Sequence, residues 1–276
     1  MLNLIIEYSP LKVEVNNLDN KEILNKLKSD PSYIRELDYI DEELQLYIVR
    51  NNGSNIKYID NPSKRVQIEA VKNSQLSVQY IENIDEEAAI IAVKSLWNTL
   101  KFIKNPTYKI LREAVQSKGW AIQFIENPDE DLQKIAVEKD YDAIKYIKSP
   151  SESVQIKAIE NYYAAIKFLE NPTQKAKITA VKLNGEAINY INNYDLDDVK
   201  LFIYENINVV KYIYETIDVE IVIEVLIDKF KKGDIDSKYI IDFLELEVLE
   251  MDKINFIKEY GNKECKKILV DYKLSK

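Results

Sequence analysis

The feature that most constrains this chain is a 22-residue period that runs through most of its sequence. An aromatic residue followed by Ile or Leu returns at this interval without a slip in register, at Tyr58-Ile59, Tyr80-Ile81, Phe102-Ile103, Phe124-Ile125, Tyr146-Ile147, Phe168-Leu169, Tyr190-Ile191 and Tyr212-Ile213. A fixed period between about 20 and 50 residues is typical of proteins that stack one small structural unit on the next. The period therefore predicts the architecture of the chain, although it indicates nothing about its chemistry.

Each 22-residue repeat carries a signal for the start of a helix. One position of the repeat holds only residues whose short side-chain oxygen can accept from the first free N–H groups of a helix: Asp19, Asp41, Ser63, Asp85, Thr107, Asp129, Ser151, Thr173 and Asp195. In five repeats a proline comes just before this position, and an asparagine comes before four of those prolines. We expect these asparagines to adopt the left-handed conformation that closes a helix. The alternative interpretation is a row of amides that binds a ligand.

The spacing of apolar residues predicts two short helices in each repeat, for example from Ser63 to about Lys72 and from about Leu76 to Glu82. One column of the repeat is alanine, which indicates a close helix crossing: Ala70, Ala92, Ala114, Ala136, Ala158 and Ala180. Helices this short are unstable alone in water and must bury their faces against neighbouring units. The sequence therefore predicts an all-α fold, an α-solenoid of short helix pairs with about nine 22-residue repeats over residues 19–216.

The two ends of the chain fall outside the period. Residues 1–18 alternate between apolar and polar side chains in part, and we expect a short N-terminal cap of irregular or hairpin structure. Residues 217–276 predict a helix from Val219 to Lys232, an apolar segment from Ser237 to Tyr260 and a short lysine-rich tail. We interpret this region as a C-terminal helical cap on the last repeat. A homodimer interface through the C-terminal helices is the alternative.

Composition argues against several classes of function. The chain has no histidine, five glycines and one cysteine, so it lacks the residues of histidine-dependent catalysis, of glycine-rich phosphate loops and of cysteine-based metal sites. We therefore expect no enzyme activity, no cofactor and no metal. The net charge of -9 disfavours binding to nucleic acid or to an anionic membrane. Without a secretory signal or a long apolar run, the chain is expected to be cytoplasmic.

The repeat motif carries a resemblance to known proteins. Its first half is clear in Pro150-Ser151-Glu152-Ser153-Val154-Gln155-Ile156-Lys157-Ala158-Ile159, and its second half in Ala143-Ile144-Lys145-Tyr146-Ile147. The motif resembles the short two-helix tandem repeats of uncharacterised bacterial and phage proteins, and more distantly HEAT-type and leucine-rich-variant helical repeats. That resemblance implies a scaffold that acts on another protein, such as a phage or bacterial modulator. It supplies no catalytic residue.

Two sets of residues are candidates for a binding surface. Both tryptophans and three tyrosines fall in the variable turn between the two helices, where they predict an aromatic ridge that binds a partner: Trp97, Trp120, Tyr141, Tyr162 and Tyr163. The alternative is that these rings fold back onto the core. A second, lysine-containing stripe follows the second helix, at Lys57, Lys101, Lys145, Lys167 and Lys211. An ordinary solvated helix face is the favoured explanation of this stripe, because the next exposed column is mostly acidic and would neutralise it.

These patterns favour one class of function without naming a partner. We expect a protein-binding scaffold, adaptor or inhibitor that acts through the surface of a solenoid. The alternative is a nucleic-acid-binding repeat protein that uses the stripe of lysine and glutamine residues, although the acidic composition makes nucleic acid a poor partner.

Overall fold

A computed structural model describes residues 17–37, 40–232 and 235–276, with side chains described from residue 22 onward. The prediction of an N-terminal cap over residues 1–18 lies outside the described residues, apart from residues 17 and 18, which are helical. The described chain is all-helical and contains no strand, and its consecutive helices pack on one another repeatedly. The predicted all-α helical-repeat fold is therefore confirmed.

Two compact units make up the chain, unit 1 ending at Ile125 and unit 2 beginning at Glu126. The described residues of unit 1 form five α-helices and five 3₁₀ helices. Its α-helices are α1 (Asn17–Ser29), α2 (Glu42–Asn51), α3 (Lys64–Asn73), α4 (Glu86–Ser95) and α5 (Tyr108–Ser117). Its 3₁₀ helices are η1 (Pro31–Glu36), η2 (Gly53–Tyr58), η3 (Gln75–Tyr80), η4 (Trp97–Phe102) and η5 (Gly119–Phe124).

Unit 2 continues the alternation and ends in four consecutive α-helices. The repeating part comprises α6 (Glu130–Lys139), η6 (Tyr141–Tyr146), α7 (Glu152–Asn161), η7 (Tyr163–Phe168), α8 (Gln174–Leu183), η8 (Gly185–Tyr190), α9 (Leu196–Glu205), η9 (Ile207–Val209) and α10 (Val210–Ile213). It is followed by α11 (Val219–Lys232), α12 (Ser237–Glu245), α13 (Lys253–Tyr260) and α14 (Lys263–Ser275). The segment predicted as a lysine-rich tail is thus a helix, which Asn262 caps by accepting from the N–H of Cys265 at 2.9 Å.

The second helix is a 3₁₀ helix in every described repeat before the last, where the short η9 continues directly as α10. The second helix that was predicted from about Leu76 to Glu82 is confirmed at Gln75–Tyr80, whereas its 3₁₀ type was not predicted. In η3 the N–H of Ser77 donates to the carbonyl of Ser74 at 3.0 Å, and the N–H of Ile81 donates to Val78 at 3.2 Å. A 3₁₀ helix rises about 2.0 Å per residue against 1.5 Å for an α-helix. Six residues therefore span roughly 12 Å, close to the roughly 15 Å of the ten-residue α-helix beside them.

The columns of apolar residues form the core. Every alanine of the alanine column is fully buried. The position that follows it is also fully buried and is always Val or Ile: Val49, Val71, Val93, Val115, Val137, Ile159, Val181 and Ile203. In each unit the α-helices stack on one another in one layer, and the 3₁₀ helices stack in the other. The capping column also holds where it was predicted: Asp129, for example, accepts from the N–H of Leu132 at 2.8 Å. Two members differ: Asp19 lies inside α1, and Ser151 occupies the N-cap position of α7 without a capping hydrogen bond from its side chain.

The asparagine column shapes the loops between repeats instead of closing helices. Left-handed backbone occurs at Asn61, Asn105 and Ser149, with φ near 48° in each. Each of these residues lies three positions after the end of its 3₁₀ helix, directly before a proline. Asn127 and Asn171 also precede a proline but do not adopt this conformation, so the prediction was wrong for two of the four asparagines. The serine does adopt it, so the left-handed turn does not depend on an amide side chain.

Buried glutamines join the loops of successive repeats, a feature that the sequence pattern did not predict. In unit 2 the Gln155 amide donates to the carbonyl of Pro150 at 3.0 Å and accepts from the N–H of Thr173, in the next loop, at 2.9 Å. Gln67 makes the equivalent pair of bonds to Pro62 and Asp85 in unit 1, at 3.0 and 2.8 Å. Each glutamine thereby satisfies one buried backbone group in each of two loops and holds the two repeats in register.

Candidate functional site

The two predicted tryptophans lie at the start of their 3₁₀ helices in unit 1, and both are half-buried. Trp97 is the first residue of η4, and its ring stacks on that of Phe124 with centroids 5.8 Å apart and an interplanar angle of 24°. Trp120 is the second residue of η5, and the ammonium of Lys118 lies 5.0 Å from the centroid of its ring. Neither ring is fully buried, and each keeps part of its surface open to solvent.

The three predicted tyrosines form one cluster in unit 2. The ring of Tyr162 lies between those of Tyr141 and Tyr163, with centroids 4.8 and 4.9 Å away. Tyr163 in turn contacts Tyr190 of the next repeat at 6.3 Å. Tyr162 is 41% exposed, whereas Tyr141 and Tyr163 are half-buried. The structure therefore brings these three predicted residues together and adds Tyr190 to them.

A carboxylate that sequence analysis missed holds part of this cluster in place. Glu186 accepts from the hydroxyl of Tyr163 at 2.6 Å and from that of Tyr190 at 3.1 Å. The hydrogen bond to Glu186 is the main cause that raises the pKa of Tyr163, and the same contact raises the pKa of Tyr190. Both hydroxyls therefore remain protonated donors at neutral pH, and the two rings are fixed by the carboxylate between them.

The aromatic column that defines the repeat is a surface feature as well as a signature. Its members are half-buried or exposed: Tyr58, Tyr80, Phe102 and Phe124 in unit 1, and Tyr146, Phe168, Tyr190 and Tyr212 in unit 2. The stacked pair Trp97–Phe124 and the tilted pair Tyr163–Tyr190 connect the predicted ridge residues to this column. We call the ridge residues together with the column the aromatic face of each unit.

The predicted lysine stripe lies on the same aromatic faces. All five of its lysines are exposed. In unit 1 the ammonium of Lys57 lies 4.8 Å from the ring centroid of Tyr58 and 5.9 Å from that of Tyr80. In unit 2 Lys145 is placed in the same way, 5.1 Å from Tyr146 and 5.7 Å from Phe168. One ammonium thus lies between two successive rings, a geometry that favours cation–π attraction.

The remaining lysines of the stripe fit this arrangement in part. Lys101 and Lys167 each lie 4.9 Å from the ring that follows them in sequence, Phe102 and Phe168. Lys145 is also paired with Asp142 at 3.0 Å, and this hydrogen bond raises the pKa of the lysine, so its positive charge is maintained. Four of the five lysines, all except Lys211, are thus positioned over aromatic rings.

The described residues offer little basis for catalysis or metal binding. Among them, no group of three or more His, Cys, Asp or Glu side chains is arranged to hold a metal ion. The thiol of Cys265 is buried, and burial raises its pKa, which keeps it in the unreactive protonated form. No helix in the described part of the chain has the length and apolar character needed to cross a membrane.

Grooves open between successive repeats in both units, but only the groove in unit 2 lies beside an aromatic face. In unit 2 a cavity of about 710 Å³ is lined by Lys145, Tyr146 and Phe168 and by the loop from Lys148 to Pro150. In unit 1 a cavity of about 510 Å³ runs between the loops around Asn83 and Asn105, and its wall combines charged and amide side chains without an aromatic ring.

Comparisons were made with protein-family models, curated proteins and solved structures. None of the three finds a match to this chain. The structure shows the repeated packing of helix pairs that the resemblance implies. The resemblance to named repeat families is based on the sequence motif alone.

Proposed function

We propose that this chain binds another protein, as a scaffold, adaptor or inhibitor, through the aromatic faces of its repeats. The observation that carries the proposal is the lysine ammonium between successive half-buried or exposed rings, at Lys57 in unit 1 and at Lys145 in unit 2. Tyrosine, tryptophan and positioned cations are the groups that dominate protein interfaces. No catalytic step is assigned to the chain.

The chemistry of these faces suits an extended segment of the partner. Stacked helices repeat at roughly 10 Å, while an extended chain advances about 3.3 Å per residue. One ring and one polar group of the repeat would therefore meet every third residue of such a segment. Rings bind apolar or aromatic side chains, and the lysines bind carboxylates. The expected partner sequence combines acidic with apolar residues at a spacing of about three.

Tyr162 is the central test residue because its ring is exposed and contacts two others. Partners would be captured from a cell lysate on the immobilised chain, with and without nuclease, and then identified by mass spectrometry and titrated in pure form. We expect capture to survive nuclease, and the Tyr162→Ala variant to bind at least tenfold more weakly, roughly the effect of losing a central anchor. Leu183→Ala, which removes an exposed apolar side chain from α8, is the matched control and should bind as the unmodified chain does.

Nucleic acid is the alternative ligand, because aromatic rings and lysines also bind single strands. The net charge of -9 opposes it. If nuclease removes the captured material, and if replacing Lys145 and Lys167 by Gln reduces the salt dependence of binding, the ligand is nucleic acid and the protein-binding proposal fails. Equal weakening by Tyr162→Ala and by Leu183→Ala would show that the aromatic face is not the binding surface.

A further inference from the structure

A second surface stands apart from the aromatic faces, at the point where the repeats end. A groove of about 290 Å³ lies between the start of α9 and the segment from Ile213 to Ile221, and it is lined by Leu196, Val199 and Ile217 among others. Large apolar side chains are exposed along this stretch of chain, with Tyr194 at 43%, Leu196 at 51% and Val219 at 48%. An exposed apolar groove of this kind typically marks an interaction site.

The sequence explains why the groove is open. Tyr194 occupies the position that is proline in five other repeats, so the standard loop is absent. After the shortened η9 the chain continues as α10 and then as α11, and the apolar side chains at the start of α9 lie outside the pattern of buried glutamine and proline loops. The ring of Tyr194 contacts that of Phe202 edge-on at 6.2 Å, which fixes one wall of the groove.

Two acidic side chains, Asp195 and Asp218, line this groove, and further acidic residues lie near them in the sequence. Those that are exposed between residues 192 and 221 are Asp195, Asp197, Glu215, Asp218 and Glu220. Only two lysines fall in the same stretch, and one of them, Lys200, is paired with Glu224 at 2.9 Å. The groove therefore favours an occupant that combines apolar with positively charged side chains.

The helix α14 of this chain carries such a combination. Its inner side buries Cys265, Ile268 and Leu269, and the helix packs on α12 and α13. Its outer side exposes Val270 at 55% and Leu274 at 81%. Lys266 and Lys273 are exposed as well and lie within three or four positions of these apolar residues, so the four form one face.

We propose that α14 of a second copy of this chain docks in the groove beside α9. Val270 and Leu274 enter the groove, and Lys266 and Lys273 face its acidic side chains. The two surfaces differ, so each copy offers one groove and one helix. If each of two copies docks its α14 in the groove of the other, they form a closed dimer. If each copy docks on a different neighbour, the copies form an open chain. The proposal stands independently of binding at the aromatic faces.

Sedimentation of the purified chain tests the proposal directly. The unmodified chain should self-associate between about 1 μM and about 1 mM, the range in which weak contacts become populated. Leu196→Asp, in the groove, and Leu274→Asp, on α14, should each raise the dissociation constant at least tenfold, about the loss expected for an anchor residue. Leu183→Asp is the control, because this leucine is also 51% exposed but lies on α8, outside both surfaces.

Mixing the two variants gives the sharper result. Each of them is monomeric alone, but in a mixture the intact groove of Leu274→Asp can accept the intact α14 of Leu196→Asp, so association should return. Circular dichroism establishes that each variant is folded, and Leu196→Ser replaces Leu196→Asp if the latter unfolds. A chain that stays monomeric throughout, variants that fail to restore association on mixing, or equal weakening by Leu183→Asp would each overturn the proposal.

Discussion

The closest approach between repeats in unit 2 can be tested by adding a single methyl group at Gly185, the first residue of η8. A Cβ atom built there would lie 2.8 Å from the carbonyl carbon of Asn208, 2.8 Å from the nitrogen of Val209 and 3.0 Å from the oxygen of Asn208. Carbon atoms in contact are normally about 3.5–4.0 Å apart. Because all three neighbours belong to the backbone of η9, no side-chain rotation can relieve the overlap. The Gly185→Ala variant must therefore move η9 away from η8.

The magnitude follows from two opposing effects. Overpacking that shifts a backbone costs about 1–3 kcal/mol. Replacing Gly by Ala also restricts the unfolded chain, which returns about 0.4–1 kcal/mol when the native backbone suits alanine. The expected net loss in the free energy of unfolding is therefore about 1–2 kcal/mol.

Urea unfolding followed by circular dichroism measures this loss. Asn189→Ala, at an exposed position of the same 3₁₀ helix, is the control and should change the midpoint little. A Gly185→Ala variant with an unchanged or higher midpoint would refute the argument, because it would show that η8 and η9 do not approach as closely as the contact distances require.

Three further substitutions test other parts of unit 2. Ala136→Leu should cost about 1–3 kcal/mol of unfolding free energy, measured by urea, because Ala136 is fully buried at the helix crossing; an unchanged midpoint would place the column at the surface. Glu186→Gln should lower the pKa of Tyr163 in an ultraviolet titration, since the hydrogen bond to Glu186 is the main cause that raises it. Because the folded chain holds the Tyr163 proton more tightly than the unfolded chain does, the raised pKa stabilises the folded state below about pH 10, the usual pKa of an unfolded tyrosine. This stabilisation is lost as the pH rises above that value. The variant should therefore lose less stability at alkaline pH than the unmodified chain. Lys177→Met should cost about 1–3 kcal/mol at neutral pH, because Asp198 loses a 2.9 Å ion pair in which both side chains are largely buried. Burial alone would raise the pKa of Asp198, but its hydrogen bonds to Lys177 and Gln174 outweigh burial, and the net pKa is lowered. The loss of stability caused by Lys177→Met should therefore shrink as the pH falls below about 4, where the carboxylate of the unfolded chain is protonated.

The parts of the fold that could be predicted from the sequence are those that every repeat must satisfy. All six alanines of the alanine column are fully buried, as a close crossing of the α-helices requires. Ile48 and Phe202 occupy the same column in repeats nearer the ends of the array and are buried as well. The helix type of the second segment could not be predicted in the same way. Six residues show apolar spacing of about three under either a 3.0- or a 3.6-residue turn, and the difference appears only in the hydrogen bonds, as at Ser77 and Ile81.

Contacts that depend on how repeats stack were beyond the reach of sequence patterns. The glutamine that joins successive loops is present at Gln67 and Gln155. Gln45 and Gln133 share its column, whereas Ala89 and Leu111 replace it in other repeats. The column therefore showed a recurring glutamine without showing that it bridges two loops. Glu186 is equally hidden, since its bond to Tyr163 joins residues 23 apart in different repeats. The homodimer interpretation of the C-terminal helices stays a prediction, and the groove beside α9 gives it a specific form.

The first position of the 3₁₀ helix links the packing of the repeats to their binding surface. It is glycine at Gly53 and Gly185, where an added Cβ would collide with the next repeat. It is aromatic at Trp97, Tyr141 and Tyr163, the residues from which the aromatic faces are partly built. Other repeats hold Gly119, Gln75 or Ile207 here, so the position accepts different side chains. Tyr163 extends to the following 3₁₀ helix, where its hydroxyl donates to Glu186. Variation at this one position can therefore change the surface offered to a partner while the buried columns, and with them the fold, remain the same.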